Sequence, residues 1–432
     1  MGETTIRQPQ MRLQSFEAVL ASSIPPPNCQ PILLQSPPVN LALDAFSFSC
    51  HTRLMQIAPF RIEEYFGKYE FTAKYLLSSS DCQSQTIADL LAFEPGAHDA
   101  FLKHWCGYTE TPGAPWLRET IAQTYKGIRA ADVFVVAAAE EAIFLFYHAL
   151  LKPGDHAIVE SPCYESALTL VKSTGAALSE WRRRPENGWA HDLAALESLI
   201  QPNTRSIYIN TPHNPTGLLT PLPVLRSVMQ LAGRYGIYVF CDEVYRELEH
   251  DSATRLPAGC ELYERAVSLG SMSKTYGLAG LRLGWLVSRD PKILQLCTQL
   301  KYYTTICSSA PSEYLTDLAI RHREKIIGRN LQFVLHNVKL LSTFLARRSD
   351  LFSWTPPNAG PIGFVRYQPA QPAKSNLPTD AQTFCETLVQ QSGVLLLPGS
   401  VYDQPHHIRF GFGRRNMPES LSQLDSYLSL AN

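Results

Sequence analysis

An α/β fold built on a mostly parallel sheet is what this sequence predicts, and three observations carry the expectation. From about Val133 onward, short apolar runs rich in β-branched residues alternate with helical ones, as strands buried on both faces do when crossover helices join them. The 432 residues are 45% apolar, enough for one large core or two moderate ones. Beyond about Arg323 the alternation gives way to a long helical stretch, short strands and a last helix. That change reads as a second, smaller α+β domain.

Residues 1–54 stand apart. They are poor in charge, rich in Pro, Ser and Gln, and broken at Pro25-Pro26-Pro27 and Pro37-Pro38, so little fixed structure is expected there. Translation starting at Met55, or a targeting peptide, are the alternatives. The patterned segment Phe60–Phe71 and an apolar strand at Tyr75–Leu77 follow; residues 55–95 are expected to complete the smaller domain. The large domain is expected over residues 96–322. Strands are predicted at Val133–Val136, His156–Glu160, Arg205–Asn210, Ile237–Cys241 and Ala266–Gly270, with helices at Glu140–Leu151 and Glu165–Ser173 between the first of them. Residues 323–432 are read as a long helix, strands near Ile362–Tyr367 and Val394–Leu397, and a helix at Pro418–Leu430. No internal repeat is visible.

Composition excludes several classes. A net charge of −1 leaves no electrostatic footprint for nucleic acid or an anionic membrane. No apolar run reaches transmembrane length, and no basic run precedes an apolar signal segment. The ten cysteines form no C-x-x-C pair and no zinc-spaced cluster, so no metal site is expected. Cys163, Cys241, Cys297 and Cys307 lie in apolar or helical runs, as reduced core thiols do. A cytoplasmic enzyme is the expectation.

The most informative run is Ser-Leu-Gly-Ser-Met-Ser-Lys-Thr-Tyr-Gly-Leu-Ala-Gly-Leu-Arg-Leu-Gly-Trp (268–285). An apolar strand ends in small residues and Lys274 follows within one turn, among hydroxyls and glycines. A lysine that loses its proton there can form a Schiff base with an aldehyde; a solvated lysine beside a Gly-rich loop is the plain alternative. In open α/β sheets chemistry gathers at the carboxyl ends of the strands. Three successive strands lead into Thr-Pro-His-Asn-Pro-Thr-Gly (211–217), into Asp242-Glu243-Val244-Tyr245, and into Ser271 and Lys274. Asn214, Asp242 with Tyr245, and Lys274 are therefore delivered to one edge.

This constellation, with Asp242 twenty-eight residues after Asn214 and Lys274 thirty-two further on, resembles the class I/II aminotransferases of the fold type I pyridoxal-phosphate enzymes. The resemblance covers roughly residues 60–430 and implies a seven-stranded sheet and pyridoxal 5′-phosphate as cofactor. On that resemblance Lys274 holds the aldehyde and later shuttles a proton between Cα and C4′. Asp242 pairs with the pyridine nitrogen and keeps the ring an electron sink. Tyr245 and Asn214 hydrogen-bond the phenolic oxygen. Ser271 and Arg282 hold the phosphate, helped by backbone N–H groups of Ala139 and Glu140. Tyr164 stacks on the ring, or is an ordinary core tyrosine. Tyr108 reaches a partner's phosphate, which implies a homodimer, and Arg409 grips the substrate α-carboxylate. The family's usual glycines are absent from Ala137-Ala138-Ala139-Glu140, and an acid there repels phosphate unless it turns away.

A second departure lies in Leu76-Leu77-Ser78-Ser79-Ser80-Asp81, with Glu63, Glu64 and Glu70 nearby. Where relatives place apolar or glycine residues, Ser79 and Asp81 are expected to receive a cationic or strongly polar substrate side chain, whereas Glu63 and Glu64 read as solvated helix residues. Amino transfer between an amino acid and a 2-oxo acid is the expected reaction. The alternatives are a cyclase, dehydratase or oxidase of a γ-substituted or arginine-like amino acid, and, more remotely, a non-catalytic ligand sensor.

Overall fold

The computed structural model describes residues 57–369 and 377–430; the expectation for residues 1–54 lies outside the described residues. In chain order the first strand is β1 (Tyr75–Leu76). The next seven are β2 (Val133–Val136), β3 (His156–Ser161), β4 (Ala177–Arg182), β5 (Thr204–Asn210), β6 (Tyr238–Asp242), β7 (Ala266–Ser271) and β8 (Gly284–Val287), forming one sheet in the order β2-β8-β7-β6-β5-β3-β4. β3 to β7 run parallel, and β8 lies antiparallel to both β7 and β2. The sheet is therefore mostly parallel with a single reversed strand. β4 and β8 are the two strands that the apolar pattern did not single out. β4 is partly exposed, with Glu180 and Arg182 in its run, and β8 is short and interrupted by Trp285.

Both faces of the sheet are covered. The Ala138–Leu150 helix buries Ala142, Ile143, Leu145, Phe146 and Tyr147 on one side, and Phe146 meets Phe240 of β6 with ring centroids 4.7 Å apart. On the other side the Leu222–Tyr235 helix buries Leu225, Val228, Met229 and Leu231 over Ile207, Ile209 and Val239. That helix stops at Gly236, whose φ of 64° is the left-handed cap that glycine adopts without strain.

The remaining strands are β9 (Phe352–Trp354), β10 (Ile362–Tyr367), β11 (Val394–Leu395), β12 (Leu397–Pro398) and β13 (His407–Gly411). Four of them make an antiparallel sheet, β12-β13-β10-β9, while β11 pairs in parallel with β1. The single strand expected at Val394–Leu397 thus divides between two sheets around Leu396. The Arg323–Arg347 helix presents Ile326, Ile327, Val334, Leu341, Phe344 and Leu345 inward, the three- and four-residue spacing of one apolar face. No helix among the described residues is long and apolar enough to cross a membrane.

One turn ties the two sheets together. In the 211–217 segment Gly217 has φ +69°, its carbonyl accepts from the N–H groups of Asn358 and Ala359, and a Cβ placed there would sit 2.2 Å from the carbonyl oxygen of Ile362. Left-handed geometry costs a non-glycine residue about 1–2 kcal/mol and overpacking about 1–3 kcal/mol more. Gly217→Ala is therefore expected to destabilise the protein by roughly 2–5 kcal/mol in urea unfolding. An unfolding midpoint equal to wild type would show that this turn does not hold the β10 segment.

Candidate active site

β5, β6 and β7 end level with one another: Asn210 pairs across from Asp242, and Asp242 from Leu269. Their loops leave the same edge, where a cavity of about 400 Å³ opens. Lys274, Asp242, Tyr245, Asn214, Ser271 and Arg282 all line it, as do Tyr164, Ala139 and Glu140. The ends of the parallel strands placed Asn214, Asp242, Tyr245, Ser271 and Lys274 together, and the resemblance implied the other four.

Lys274 is half-buried at the cavity, and its Nζ donates to Ser80 Oγ at 2.9 Å. Burial pulls its pKa below the ordinary lysine value; nearby Asp81 opposes the shift and Arg409 reinforces it. The amine is thereby easier to deprotonate and better suited to attack a carbonyl. Asp242 lies at the floor, its carboxyl pushed up to about 6 by burial although Tyr208 donates its hydroxyl at 2.8 Å and Val244 its N–H at 3.3 Å. Tyr245 is 1% exposed, and its hydroxyl, with Ser80 nearby, makes no well-formed hydrogen bond.

Asn214 is oriented by what it accepts. Its Oδ1 takes hydrogen bonds from Arg409 Nη1 at 3.2 Å and from the Tyr402 hydroxyl at 3.1 Å, which turns the amide so that Nδ2 carries the donors still to be used. Arg409 does not line the cavity but stands behind Asn214. Its Nη1 also donates to the Tyr402 oxygen at 2.6 Å and its Nη2 to the Ser78 carbonyl at 2.9 Å, while Nε finds no partner. The guanidinium is 1% exposed, and no carboxylate among the described residues pairs with it. A buried cation held only by neutral oxygens favours an anionic ligand.

At the opposite end Ser271, Ser273 and Arg282 face the first turn of the Ala138–Leu150 helix. Ser271 Oγ lies 3.1 Å from Ser273 Oγ, and Arg282 Nη1 donates to the Ala279 carbonyl. Ala138 adopts φ 69°, the conformation glycine would take freely. The turn therefore forms without glycine and leaves first-turn N–H groups facing the cavity, where an anion can bind. Glu140 lines the cavity too. Its carboxyl is pushed up to about 7, chiefly by burial and further by Glu63 and Asp242, so protonation near neutral pH relieves the repulsion that an acid beside a phosphate implies.

Three expectations need restating. Asp81 is not free to receive a substrate cation: Arg414 grips it with Nη2 at 2.9 and 2.8 Å from the two oxygens and Nε at 3.2 Å. Ser79 is buried with its backbone packed tightly on Gly411 of β13, and it does not line the cavity. Tyr108, expected to act at a partner's site and not at its own, is 81% exposed and away from the cavity of its own chain. Glu63, read as solvated, is carried by the helix α1 (Arg61–Tyr69) onto the cavity rim, where it accepts the Tyr164 hydroxyl at 2.5 Å. Phe60 packs on the Tyr164 ring at 5.0 Å. Ser80, Tyr208 and Tyr402 were missed. Ser80 closes the serine run already singled out, and Tyr208 lies on the same strand face as Asn210; Tyr402 gives no local signal.

Pyridoxal phosphate fits these groups. The Tyr245 hydroxyl, without a well-formed bond, and Asn214 Nδ2 suit an oxygen acceptor, buried Asp242 suits a basic ring nitrogen, and the helix turn with Ser271, Ser273 and Arg282 suits a phosphate. The comparisons agree. The pattern of aminotransferase class I and II matches residues 76–421. Capreomycidine synthase from Streptomyces vinaceus is 29% identical over 353 residues, covering 81% of this chain and 88% of its own. An arginine–pyruvate transaminase from Pseudomonas aeruginosa is 28% identical over 357 residues, 78% of this chain and 84% of its own. The crystal structure of a PLP-dependent aminotransferase from Streptococcus suis superposes with a TM-score of 0.81 at 28% identity, covering 87% of this chain and 99% of that one. With the match spanning most of its length, the chain belongs to the class I and II aminotransferases, enzymes that depend on pyridoxal phosphate.

Proposed function

We propose that this aminotransferase works through Lys274 on an amino acid whose α-carboxylate is taken by Arg409. The observation that carries the reading is a half-buried amine with a lowered pKa, Lys274, close to a buried acid, Asp242, and a buried guanidinium that has no counter-ion. When bound, the cofactor supplies an aldehyde and an electron sink. Lys274 Nζ holds that aldehyde and then moves the proton between the substrate Cα and the cofactor C4′, with Ser80 steering the amine. Asp242 keeps the proton on the ring nitrogen, and Tyr208 holds Asp242 in place. Tyr245 and Asn214 donate to the phenolic oxygen. Ser271, Arg282 and the N–H groups of Ala139 and Glu140 seat the phosphate, and Tyr164 covers the ring.

Tyr108 supports a homodimer with composite sites. It stands beside exposed Tyr302, Tyr303 and Ile306, because Thr109 bonds Ser308 and Lys301 bonds Thr111 across the two segments. An apolar patch of this kind is normally covered. The eight described cysteines are free, which supports a reducing, cytoplasmic setting. The division into a large domain over 96–322 and a small one from both flanks follows the distribution of the sheets.

A second reading concerns the substrate side chain. Glu63 lines the cavity and has no cation partner among the described residues. That favours an amino acid with a cationic side chain, in line with the name of the arginine–pyruvate transaminase. The Glu63–Tyr164 pair also places a second acid–base group opposite Lys274, the requirement for a cyclase, dehydratase or oxidase acting beyond Cα.

Borohydride reduction of holoenzyme should fix one cofactor on Lys274, found by peptide mass spectrometry, and Lys274→Ala should lose it. A wild-type protein without that adduct would overturn the site. Glu63→Gln should raise KM for arginine at least tenfold while leaving alanine within twofold. Equal effects on both would reject the cationic side chain, and a product still carrying its nitrogen, formed without a 2-oxo acid, would favour the second reaction class.

Asp242 yields a pH test. Its folded pKa of about 6 stands above the ordinary carboxylate value near 4. Below about pH 4 it is neutral folded or unfolded and costs nothing. Above about pH 6 the folded protein without cofactor must carry a buried charge, a penalty of roughly 3 kcal/mol. Cofactor-free Asp242→Asn should therefore unfold at higher urea than wild type at pH 8, with the gap closing toward pH 4. With cofactor the same variant should lose about 10²-fold or more in kcat. A stability gap independent of pH would reject the buried-acid assignment.

A further inference from the structure

Behind the cavity, away from cofactor and substrate, β3 and β4 enclose a charged cluster with no catalytic assignment. Glu160 is fully buried, Arg183 is 4% exposed, and His191 is equally enclosed. Glu160 Oε1 meets Arg183 Nη1 at 3.1 Å and His191 Nε2 at 2.7 Å. Arg183 Nε donates in turn to the Trp189 carbonyl, and His191 packs on Trp181 with centroids 4.8 Å apart. A buried ion pair of this kind is weak as a source of stability, since apolar residues of the same size do as well or better. Its value lies in fixing geometry, and the remaining carboxylate oxygen shows which geometry.

Glu160 Oε2 accepts the backbone N–H of Asn210 at 2.8 Å. Asn210 closes β5 and uses both ends of its amide: Nδ2 donates to the Asp242 carbonyl at 2.9 Å, and Oδ1 accepts the Asn214 N–H at 2.6 Å. Asn214 then carries Arg409 and Tyr402 on its own Oδ1. An unbroken chain of hydrogen bonds thus runs from the Arg183–Glu160–His191 cluster through Asn210 to the two residues that face the ring and the one proposed to grip the carboxylate. We propose that Glu160 is a positioning residue for this reaction: acting through Asn210, it sets the Asn214 amide and the end of β6 at which Asp242 sits.

The proposal rests on the Lys274 reading of the site, and the experiment separates the two. Wild type, Glu160→Gln, Asn210→Ala and the double variant are prepared as holoenzyme and first checked for the borohydride-fixed cofactor on Lys274; absence of the adduct from wild type would count against the site itself. Asn210→Ala leaves the buried charges intact, so the link is tested even if Glu160→Gln fails to fold. Both single variants should keep the adduct, shift the pH midpoint of the holoenzyme's visible absorbance by at least half a unit, and raise KM for the amino acid at least tenfold. The double variant should do no more than either single one, because both cut the same chain. A midpoint and KM matching wild type in Asn210→Ala, with only the unfolding temperature lowered, would overturn the proposal. So would effects of the two substitutions that simply multiply.

Discussion

Everything at this site depends on taking Lys274 out of water. An amine in a dry cavity prefers to be neutral, and a carboxyl in the same cavity prefers to be protonated; Lys274 and Asp242 are displaced in those two directions. Both shifts come first from enclosure, with Arg409 adding to that of Lys274 and Glu160 to that of Asp242. That enclosure comes from the sheet, since β5, β6 and β7 are buried along their whole ends and deposit their loops into the same space. The mostly parallel topology is therefore a condition of the chemistry, because antiparallel neighbours would have sent alternate loops to the opposite edge.

That dependence explains what could be read from the sequence. Asn214, Asp242, Tyr245 and Lys274 were legible because each follows an apolar run directly, so a strand's end fixes their place. The resemblance supplied the roles. Asp81 was misread because its partner, Arg414, lies 333 residues away, and no local pattern announces such a pairing. Glu63 is exposed, as read, but its place at the cavity was missed for a different reason. In α1 the residues Ile62, Tyr65 and Tyr69 point inward, so periodicity puts Glu63 on the outer face, and only the tertiary fold reveals that this face borders the cavity. Tyr402 and the Glu160 cluster belong to the same class, being made of contacts between segments far apart in the chain.

The position of α1 is itself held by charge. Arg61 pairs with Glu165 at 2.7 Å and with Asp403 at 2.8 Å, joining the start of α1 to the segment after Tyr164 and to the segment before β13. Exposed pairs add little stability singly, yet these two act on a helix whose first turn sets Phe60 and Glu63 against Tyr164. Small energies suffice to choose between placements of one helical turn, and here the choice decides which side chain meets the substrate.

The cavity's charges also show why the two substrate readings differ physically. In the proposed reading Arg282 answers the phosphate, Arg409, behind Asn214, answers the α-carboxylate, and Asp242 is answered by a protonated ring nitrogen. Glu63 and Glu140 are then left over. Glu140 escapes by protonation, its carboxyl already pushed up to about 7, whereas Glu63 keeps an open rim position and a fixed orientation through the Tyr164 hydroxyl. Glu63 stays exposed at the rim, so an apolar substrate gains nothing from it, whereas a guanidinium or ammonium there would gain a charge-assisted hydrogen bond. The proposed preference for a cationic side chain therefore rests on the charge at the rim rather than on the shape of the cavity.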